Sequence, residues 1–131
     1  MNIVDCYKGA ARIAYKLHLK SIDPKPWELR WKPVCASTEI DLSAWLKEMP
    51  LKDNIPRAMM TSRQTNGFGQ RGRAWESPPG GVWLSAAFPL CEENKSPGLL
   101  GLAVAVAVAQ RLERWDVPVQ IKWPNDLMVG Q

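Results

Sequence analysis

Residues 64–75 contain the groups in this sequence that are best suited to hold an anion. The stretch has three glycines, Gly67, Gly69 and Gly72, and two arginines, Arg71 and Arg73, and it has no acidic residue. Closely spaced glycines let backbone N–H groups approach a ligand, because no Cβ stands in the way. Guanidinium groups add fixed positive charge and paired donors that fit a carboxylate or a phosphate. The stretch therefore predicts a loop that wraps an anionic group.

The spacing of these glycines also matches the dinucleotide-binding fingerprint, Gly-x-Gly-x-x-Gly. That fingerprint requires a helix to follow, because the helix N-terminus holds the pyrophosphate. Here residues 76–81 read Glu-Ser-Pro-Pro-Gly-Gly, which cannot form a helix interior. A Rossmann-type nucleotide site is therefore disfavoured, and the alternative that stays open is a Gly-rich surface loop without a ligand.

A second stretch with chemical potential follows a predicted strand near the end of the sequence. Lys122, Trp123, Pro124, Asn125 and Asp126 supply a cation, a large ring, a carboxamide and a carboxylate in five positions. Polar groups at strand ends commonly line binding sites, and an Asp beside an Asn can ligate magnesium through oxygen. Pro-Asn-Asp is also ordinary turn sequence, so this stretch alone leaves both interpretations open.

Two hydroxyl residues, Ser37 and Thr38, precede a predicted helix that runs to about residue 49. Either one is a natural N-cap. A helix N-terminus also offers N–H groups and a positive dipole to an anion, although a cap by itself needs no ligand. The apolar positions expected on one face of this helix are Leu42, Trp45, Leu46 and Met49.

Hydrophobic patterns predict the remaining elements that position these residues. A helix is expected over 5–20, and a long Ala- and Val-rich helix over 97–115 is expected to pack deep against the sheet. Residues 127–129 would begin a strand that has no partner. Four strands are expected, a half-buried one at 27–31, one at 57–63, a central one that is apolar on both faces at 82–88, and one at 119–123.

The composition limits the classes to which the chain can belong. With 131 residues, of which 46% are hydrophobic, it can form one packed domain at most. Its net charge of +4 and pI near 9.1 favour an anionic ligand or partner, but this charge is mild for a nucleic-acid-binding protein. The three cysteines form no Cys-x-x-Cys pair and there is one histidine, so a zinc site is disfavoured and reduced thiols in the cytoplasm are expected.

The sequence shows no sign of secretion or membrane insertion. The N-terminal residues lack the order of a signal peptide, and the longest apolar run, residues 99–109, is too short to span a bilayer. No DNA-binding domain and no internal repeat are recognised, and the sequence does not fix an oligomeric state.

Taken in chain order, the three stretches closely resemble the biotin–protein ligases. The resemblance covers about residues 34–131, and residues 1–33, a predicted helix and strand, are not covered. It implies an α+β fold of the class II aminoacyl-tRNA synthetase and biotin ligase type, a mixed sheet with flanking helices, which would be incomplete here. The motifs are Ser37-Thr38, then Gln64-Thr65-x-Gly67-x-Gly69-x-x-Gly72-Arg73-x-Trp75-x-Ser77-Pro78-x-Gly80-Gly81-x-x-x-Ser85, and Lys122-Trp123-Pro124-Asn125-Asp126.

The resemblance implies that biotin is activated with ATP and Mg²⁺ to biotinyl-5'-AMP. The biotin is then passed to a lysine of the biotin carboxyl carrier protein of acetyl-CoA carboxylase. By motif position, Asp126 is the metal ligand, and the catalytic residues are Arg71, Arg73 and Lys122. The biotin-binding residues would be Ser37, Thr38, Gln64, Gly67, Phe68, Gly69 and Gln70. The ATP- and adenylate-binding residues would be Arg71, Gly72, Arg73, Trp75, Lys122, Asn125 and Asp126.

Some positions depart from the family pattern. Glu39 stands where the family usually has Asn, and its carboxylate would repel that of biotin unless it points away. Phe68 and Gln70 occupy loop positions that are often basic in relatives. A lysine that is central to adenylation would fall beyond Gln131, so a truncated, weakly active or inactive chain is expected. Two alternatives remain, a non-enzymatic module that binds anions or nucleic acid, and a lipoate–protein ligase of similar fold.

Overall fold

The computed structural model describes residues 27–52, 55–89 and 97–130. The chain divides into two compact units, Met1–Pro89 and Leu90–Gln131. The helix predicted over residues 5–20 lies outside the described residues. Among the described residues, no helix is both long enough and apolar enough to cross a membrane.

The first unit contains a mixed three-stranded sheet of β1 (Glu28–Lys32), β2 (Arg57–Thr61) and β5 (Trp83–Ala87), in the order β1-β2-β5. β2 pairs parallel with β1 and antiparallel with β5. The burial of β1 alternates along the strand, which confirms the predicted half-buried strand. β1 precedes the segment that resembles the ligases, yet it belongs to this sheet.

The central strand of this sheet is β2, all five residues of which are buried. The prediction that residues 82–88 form the central strand is therefore wrong, because β5 is an edge strand among the described strands. The apolar residues of β5 do not all enter the core, since a strand directs alternate side chains to opposite faces. Leu84, for example, is exposed.

Helix α1 (Thr38–Glu48) packs against β2 and β5, as the hydrophobic spacing predicts. Leu42 and Trp45 of the helix form the core with Met59 of β2. Met49 was expected on the apolar face but lies at the helix end, about half exposed.

A buried arginine joins this helix to the sheet. Arg57 of β2 donates to the carboxylate of Glu28 and to the backbone carbonyl of Met49, just past the end of α1. Trp45 lies within cation–π distance of two guanidinium groups, with Arg30 at 3.9 Å and Arg57 at 4.9 Å from its ring centroid. Ion pairing and stacking together allow the Arg57 charge to be buried.

Residues 64–75, predicted as a loop, form most of a β-hairpin instead. β3 (Gln64–Phe68) pairs antiparallel with β4 (Ala74–Ser77), and a single 3-10 turn (Gln70–Gly72) lies between them. The edge of β3 also bonds to the chain before α1, since Thr65 N–H donates to the Cys35 carbonyl at 3.0 Å and Asn66 N–H to the Ala36 carbonyl at 2.9 Å. Ladder hydrogen bonds come from the backbone, so a Gly-rich segment can form a strand where neighbouring chain pairs with it.

The second unit contains α2 (Pro97–Glu113) and a hairpin of β6 (Val119–Lys122) and β7 (Asp126–Val129). α2 begins at Pro97, as predicted. The prediction that residues 127–129 have no partner is wrong, because the turn at residues 123–125 reverses the chain and β7 pairs antiparallel with β6. The Trp123–Pro124 peptide bond in this turn is cis.

Within the second unit, few of the described side chains of α2 are buried, and its deep packing against the sheet stays a prediction. Ala105 and Ala109 are buried, but five larger apolar residues of the helix are exposed. Within this unit α2 contacts β6 and β7, and two strands cover only a narrow strip of a helix with a broad apolar face. The exposed residues are Leu99, Leu100, Val104, Val106 and Val108.

Candidate small-molecule groove at the start of the first described helix

A groove of about 330 Å³ lies between the start of α1, the hairpin and β5. Its volume is at the lower end of the range for small-molecule sites. Its lining combines hydroxyl, carboxamide and carboxylate side chains with apolar and aromatic ones. The lining residues are Ser37, Thr38, Glu39, Gln64, Phe68, Gly69, Trp75, Val82, Trp83, Leu84 and Ser85.

A hydrogen-bond network fixes three of the polar lining side chains, Thr38, Gln64 and Ser85. The Gln64 side-chain oxygen accepts from the Thr38 backbone N–H at 2.8 Å and from the Thr38 hydroxyl at 3.1 Å, and its nitrogen donates to the Ser77 hydroxyl at 2.7 Å. The hydroxyls of Thr38 and Ser85 are 2.8 Å apart. Because Thr38 gives its one hydroxyl proton to Gln64, Ser85 must donate to Thr38. The network therefore holds each of these groups in one orientation.

Gln64, and not a local hydroxyl, caps the first turn of α1. Ser37 occupies the N-cap position with extended backbone, as predicted, but its side chain makes no capping hydrogen bond. The Thr38 N–H goes instead to Gln64, which is 26 residues further along the chain. The prediction that Ser37 or Thr38 supplies the capping side chain is therefore wrong, because the side-chain oxygen of the distant Gln64 accepts the Thr38 N–H instead.

The Ser37 hydroxyl is consequently available to a ligand. Ser37 is 3% exposed and lines the groove, and its hydroxyl makes no hydrogen bond within the described residues. A ligand that enters the groove can therefore accept a hydrogen bond from Ser37 or donate one to it.

Strand β5 contributes three groove residues that the sequence did not assign to the site, Trp83, Leu84 and Ser85. The Trp83 indole N–H donates to the Pro78 carbonyl at 2.8 Å, which fixes the ring against the turn before the strand. Positions two apart in a strand share one face, so the alternation of β5 could have placed Trp83 and Ser85 together. Which face meets the groove depends on tertiary packing.

The two predicted biotin-binding glycines lie in different surroundings. Gly69 lines the groove, and a Cβ added there would meet no atom closer than 3.8 Å. Gly67 is buried inside the hairpin, where an added Cβ would lie 2.7 Å from the Trp75 backbone oxygen and 2.9 Å from the Ser77 hydroxyl. Gly67 is therefore required for the close packing of β3 on β4.

The basic residues predicted to be catalytic in the first unit lie at the hairpin tip. Gln70, Arg71, Gly72 and Arg73 are exposed and are not among the groove-lining residues. Arg71 and Gly72 both have left-handed backbone, with φ of 62° and 72°. Neither arginine side chain makes an ion pair or hydrogen bond within the described residues. In sequence, the tip directly follows the groove residues Phe68 and Gly69. Two guanidinium groups without a partner in the described residues are therefore close in sequence to the groove.

The remaining predicted site residues belong to the second unit. Lys122 and Asp126 are register partners across the β6–β7 hairpin, and Asn125 lies in the turn between these strands. Trp123 in the same turn is 80% exposed. In the part of the chain that the structure describes, no three His, Cys, Asp or Glu side chains converge as a metal site would require.

A second groove, of about 390 Å³, is lined by residues of the same hairpin and shares Gln64 and Trp75 with the first. Its charged lining residues are Arg63 and Glu76. We take the smaller groove as the candidate site, because it contains the unpartnered Ser37 and the start of a helix.

Cys35, just before the groove in sequence, is a free and buried thiol. Burial raises the pKa of this thiol above its ordinary value of 9.0, and a hydrogen bond with Thr61 opposes the shift. The thiol is therefore neutral at physiological pH and is a poor nucleophile.

The described residues thus form a mixed α/β fold in which a groove with polar and aromatic lining residues lies at the start of a helix. Residues 38–131 match the model of the biotin/lipoate A/B protein ligase family, and the chain belongs to that family.

Curated relatives agree with this assignment. The chain is 40% identical over 83 residues to the bifunctional ligase/repressor BirA of Bacillus subtilis, an alignment that covers 60% of this chain and 25% of the relative. It is 32% identical over 108 residues to the chloroplastic biotin–protein ligase 1 of Arabidopsis thaliana, covering 78% of this chain and 28% of the relative. The alignments thus span about a quarter of the length of these relatives.

Solved structures agree as well. The biotin acetyl coenzyme A carboxylase synthetase of Helicobacter pylori, with bound biotinylated ATP, matches with a TM-score of 0.67 and 27% identity over 79% of this chain and 50% of that chain. The biotin protein ligase of Aquifex aeolicus, in complex with biotin and ATP, matches with a TM-score of 0.60 and 33% identity over 76% and 40%. The predicted family and the predicted mixed α/β fold are confirmed.

Proposed function

We propose that this chain binds biotin in the groove at the start of α1 and serves a biotin–protein ligase reaction. In that reaction ATP activates biotin to biotinyl-5'-AMP, and the biotin then passes to a lysine of a biotin carboxyl carrier protein. The observation that carries the proposal is the Ser37 hydroxyl, which lines the groove and is unpartnered within the described residues, beside a Gln64 side chain that Thr38 already holds in place. The biotin ligase relatives support the identity of the ligand.

The groove suits a small ring that is polar on one edge and apolar on its faces. Ser37 can donate to a ring carbonyl, while Phe68, Trp75 and Trp83 can cover the apolar faces. The network of Thr38, Gln64 and Ser85 exists before a ligand arrives, so little ordering is required on binding.

Adenylation requires two anions to meet. An oxygen of the biotin carboxylate attacks the α-phosphorus of ATP, the new O–P bond forms, and the bond to pyrophosphate breaks. Arg71 and Arg73 can offset the charge of both groups, because neither guanidinium is committed to another residue within the described part of the chain. In the second step the lysine amine attacks the biotinyl carbonyl, an amide forms and AMP leaves.

Lys122, Asn125 and Asp126 are assigned by motif to the ATP phosphates. Their donor atoms fit this role, because an ammonium attracts phosphate oxygens and carboxylate and carboxamide oxygens are ligands that Mg²⁺ accepts. Asp126 is exposed and opens β7, so its carboxylate can share a hydrated ion with a nucleotide. Bound Mg²⁺ would supply charge neutralisation of the phosphates.

Binding of biotin, measured by calorimetry and by thermal unfolding, tests the proposal directly. A ligand at about 100 times its Kd stabilises the folded chain by about 2.7 kcal/mol. Ser37→Ala should weaken biotin about tenfold, the equivalent of one hydrogen bond. Ser43→Ala, an exposed serine of the same helix, should leave the Kd unchanged.

Two results would contradict the proposal. Lipoate binding more tightly than biotin would favour the lipoate ligase alternative. The absence of any stabilisation by biotin or by a non-hydrolysable biotinyl-adenylate analogue, in a chain that unfolds cooperatively, would reject the groove as the site.

A further inference from the structure

Glu39 is the only ionisable side chain among the described residues that line the groove. It lies in the first turn of α1, beside the hydroxyl residues Ser37 and Thr38. The other polar lining groups are neutral, and the remaining lining residues are apolar or glycine. The groove thus has one acid and no base.

This charge pattern limits which end of a ligand can enter. Glu39 is exposed, so solvent screens part of its charge, but a ligand carboxylate beside it would still meet a like charge. The uncommitted cations of the hairpin, Arg71 and Arg73, are at the tip and do not line the groove. A ligand with a carboxylate at one end would therefore place its neutral end in the groove.

We infer that Glu39 is a specificity-determining residue, which accepts a hydrogen bond from an N–H group on a neutral ring and excludes a carboxylate from the groove. The inference rests on the proposed function. In biotin the neutral ring is a cyclic urea, whose N–H can donate to Glu39 while its carbonyl accepts from the Ser37 hydroxyl. An ionised acceptor gives a stronger hydrogen bond than a neutral one.

The test compares two ligands on three proteins. Biotin and biotinamide, in which a neutral carboxamide replaces the carboxylate, are titrated calorimetrically into the unmodified chain, Glu39→Gln and Glu48→Gln. We expect Glu39→Gln to weaken both ligands by the same factor, about tenfold. Glu48→Gln makes the same charge change at the other end of the same helix, away from the groove, and should alter neither Kd.

Each other outcome overturns the inference in a distinct way. If Glu39→Gln tightens biotin but leaves biotinamide unchanged, the ligand carboxylate lies beside Glu39, and the proposed function still stands. If neither Kd changes, Glu39 does not contact the ligand. If neither ligand binds the unmodified chain, the proposed function fails together with the inference.

Discussion

At the scale of single residues, Gly67 and Gly69 differ in how much space there is for a Cβ at each position. We expect Gly67→Ala to lower the free energy of unfolding by about 1–3 kcal/mol, because the methyl group would collide with the Trp75 backbone oxygen, which cannot rotate away. Gly69→Ala is the matched control. Its position has room and extended backbone, with φ −103° and ψ −171°, so stability should hold or rise by about 0.4–1 kcal/mol. Urea unfolding of both variants measures the difference.

Equal destabilisation by the two alanines would contradict the packing of the hairpin. Because Gly67→Ala changes the fold of the hairpin, loss of biotin binding in that variant would say little about ligand contact. Arg73→Ala removes a charge from an exposed side chain and is the cleaner test of the tip.

The buried thiol of Cys35 makes stability depend on alkaline pH. The folded chain holds its proton to a higher pH than the unfolded chain, because burial raises the pKa of Cys35. Between the two pKa values the unfolded state binds fewer protons, so stability falls as pH rises. This contribution is complete below the ordinary pKa of 9.0 and is lost as pH passes through the raised value.

Urea unfolding at about pH 7 and about pH 10, either side of the ordinary thiol pKa, should show this loss. Cys35→Ala, which has no thiol at this position, should show a smaller decrease. An identical pH dependence in both proteins would mean that the thiol is not protected by burial.

At the scale of elements, the start of α1 depends on the hairpin and not on its own residues. Gln64→Leu removes the acceptor of the Thr38 N–H and the donor to Ser77. We expect a loss of about 1–3 kcal/mol, because buried polar groups are left without partners. Gln70→Leu, at the exposed tip of the same hairpin, should cost less than about 0.5 kcal/mol. The same cost for both variants would exclude Gln64 as the cap.

The element boundaries show where sequence patterns suffice. The alternation of Leu29 and Trp31, and the three- and four-residue steps from Leu42 to Trp45 and Leu46, predict β1 and α1, because each pattern is a property of one segment. For residues 64–75, the pattern within the segment predicts the wrong structure. Their glycines indicate a loop, but β3 is a strand because distant chain pairs with its backbone.

At the scale of the whole molecule, a net charge of +4 raises the question of nucleic-acid binding. Two basic side chains are already committed to ion pairs: Arg57 pairs with Glu28, and Lys32 pairs with Asp41 at 2.7 Å. We expect weak binding to a labelled duplex, with a salt dependence that corresponds to fewer than about three phosphate contacts. Fluorescence anisotropy at several salt concentrations measures this slope. A slope for six or more phosphates, together with no effect of biotin on stability, would favour the anion-binding module.

The identity of the family was accessible from sequence because three short motifs occur in the right order and spacing. The fold class followed from the same motifs, and both are confirmed. The roles assigned to Arg71, Arg73, Lys122 and Asp126 stay predictions, as does the cytoplasmic location.

The sequence by itself determined the types of groups near the ligand and the elements with a strong internal period. Only the tertiary structure decided that Gln64 caps α1, that Ser37 is left without a partner among the described residues, and that Glu39 and Trp83 line the same groove. The physical reason is the range of the interactions. Hydrophobic periods and turn preferences act within a few residues, whereas a hydrogen-bond partner or a groove wall is supplied by whichever distant segment the packing brings near.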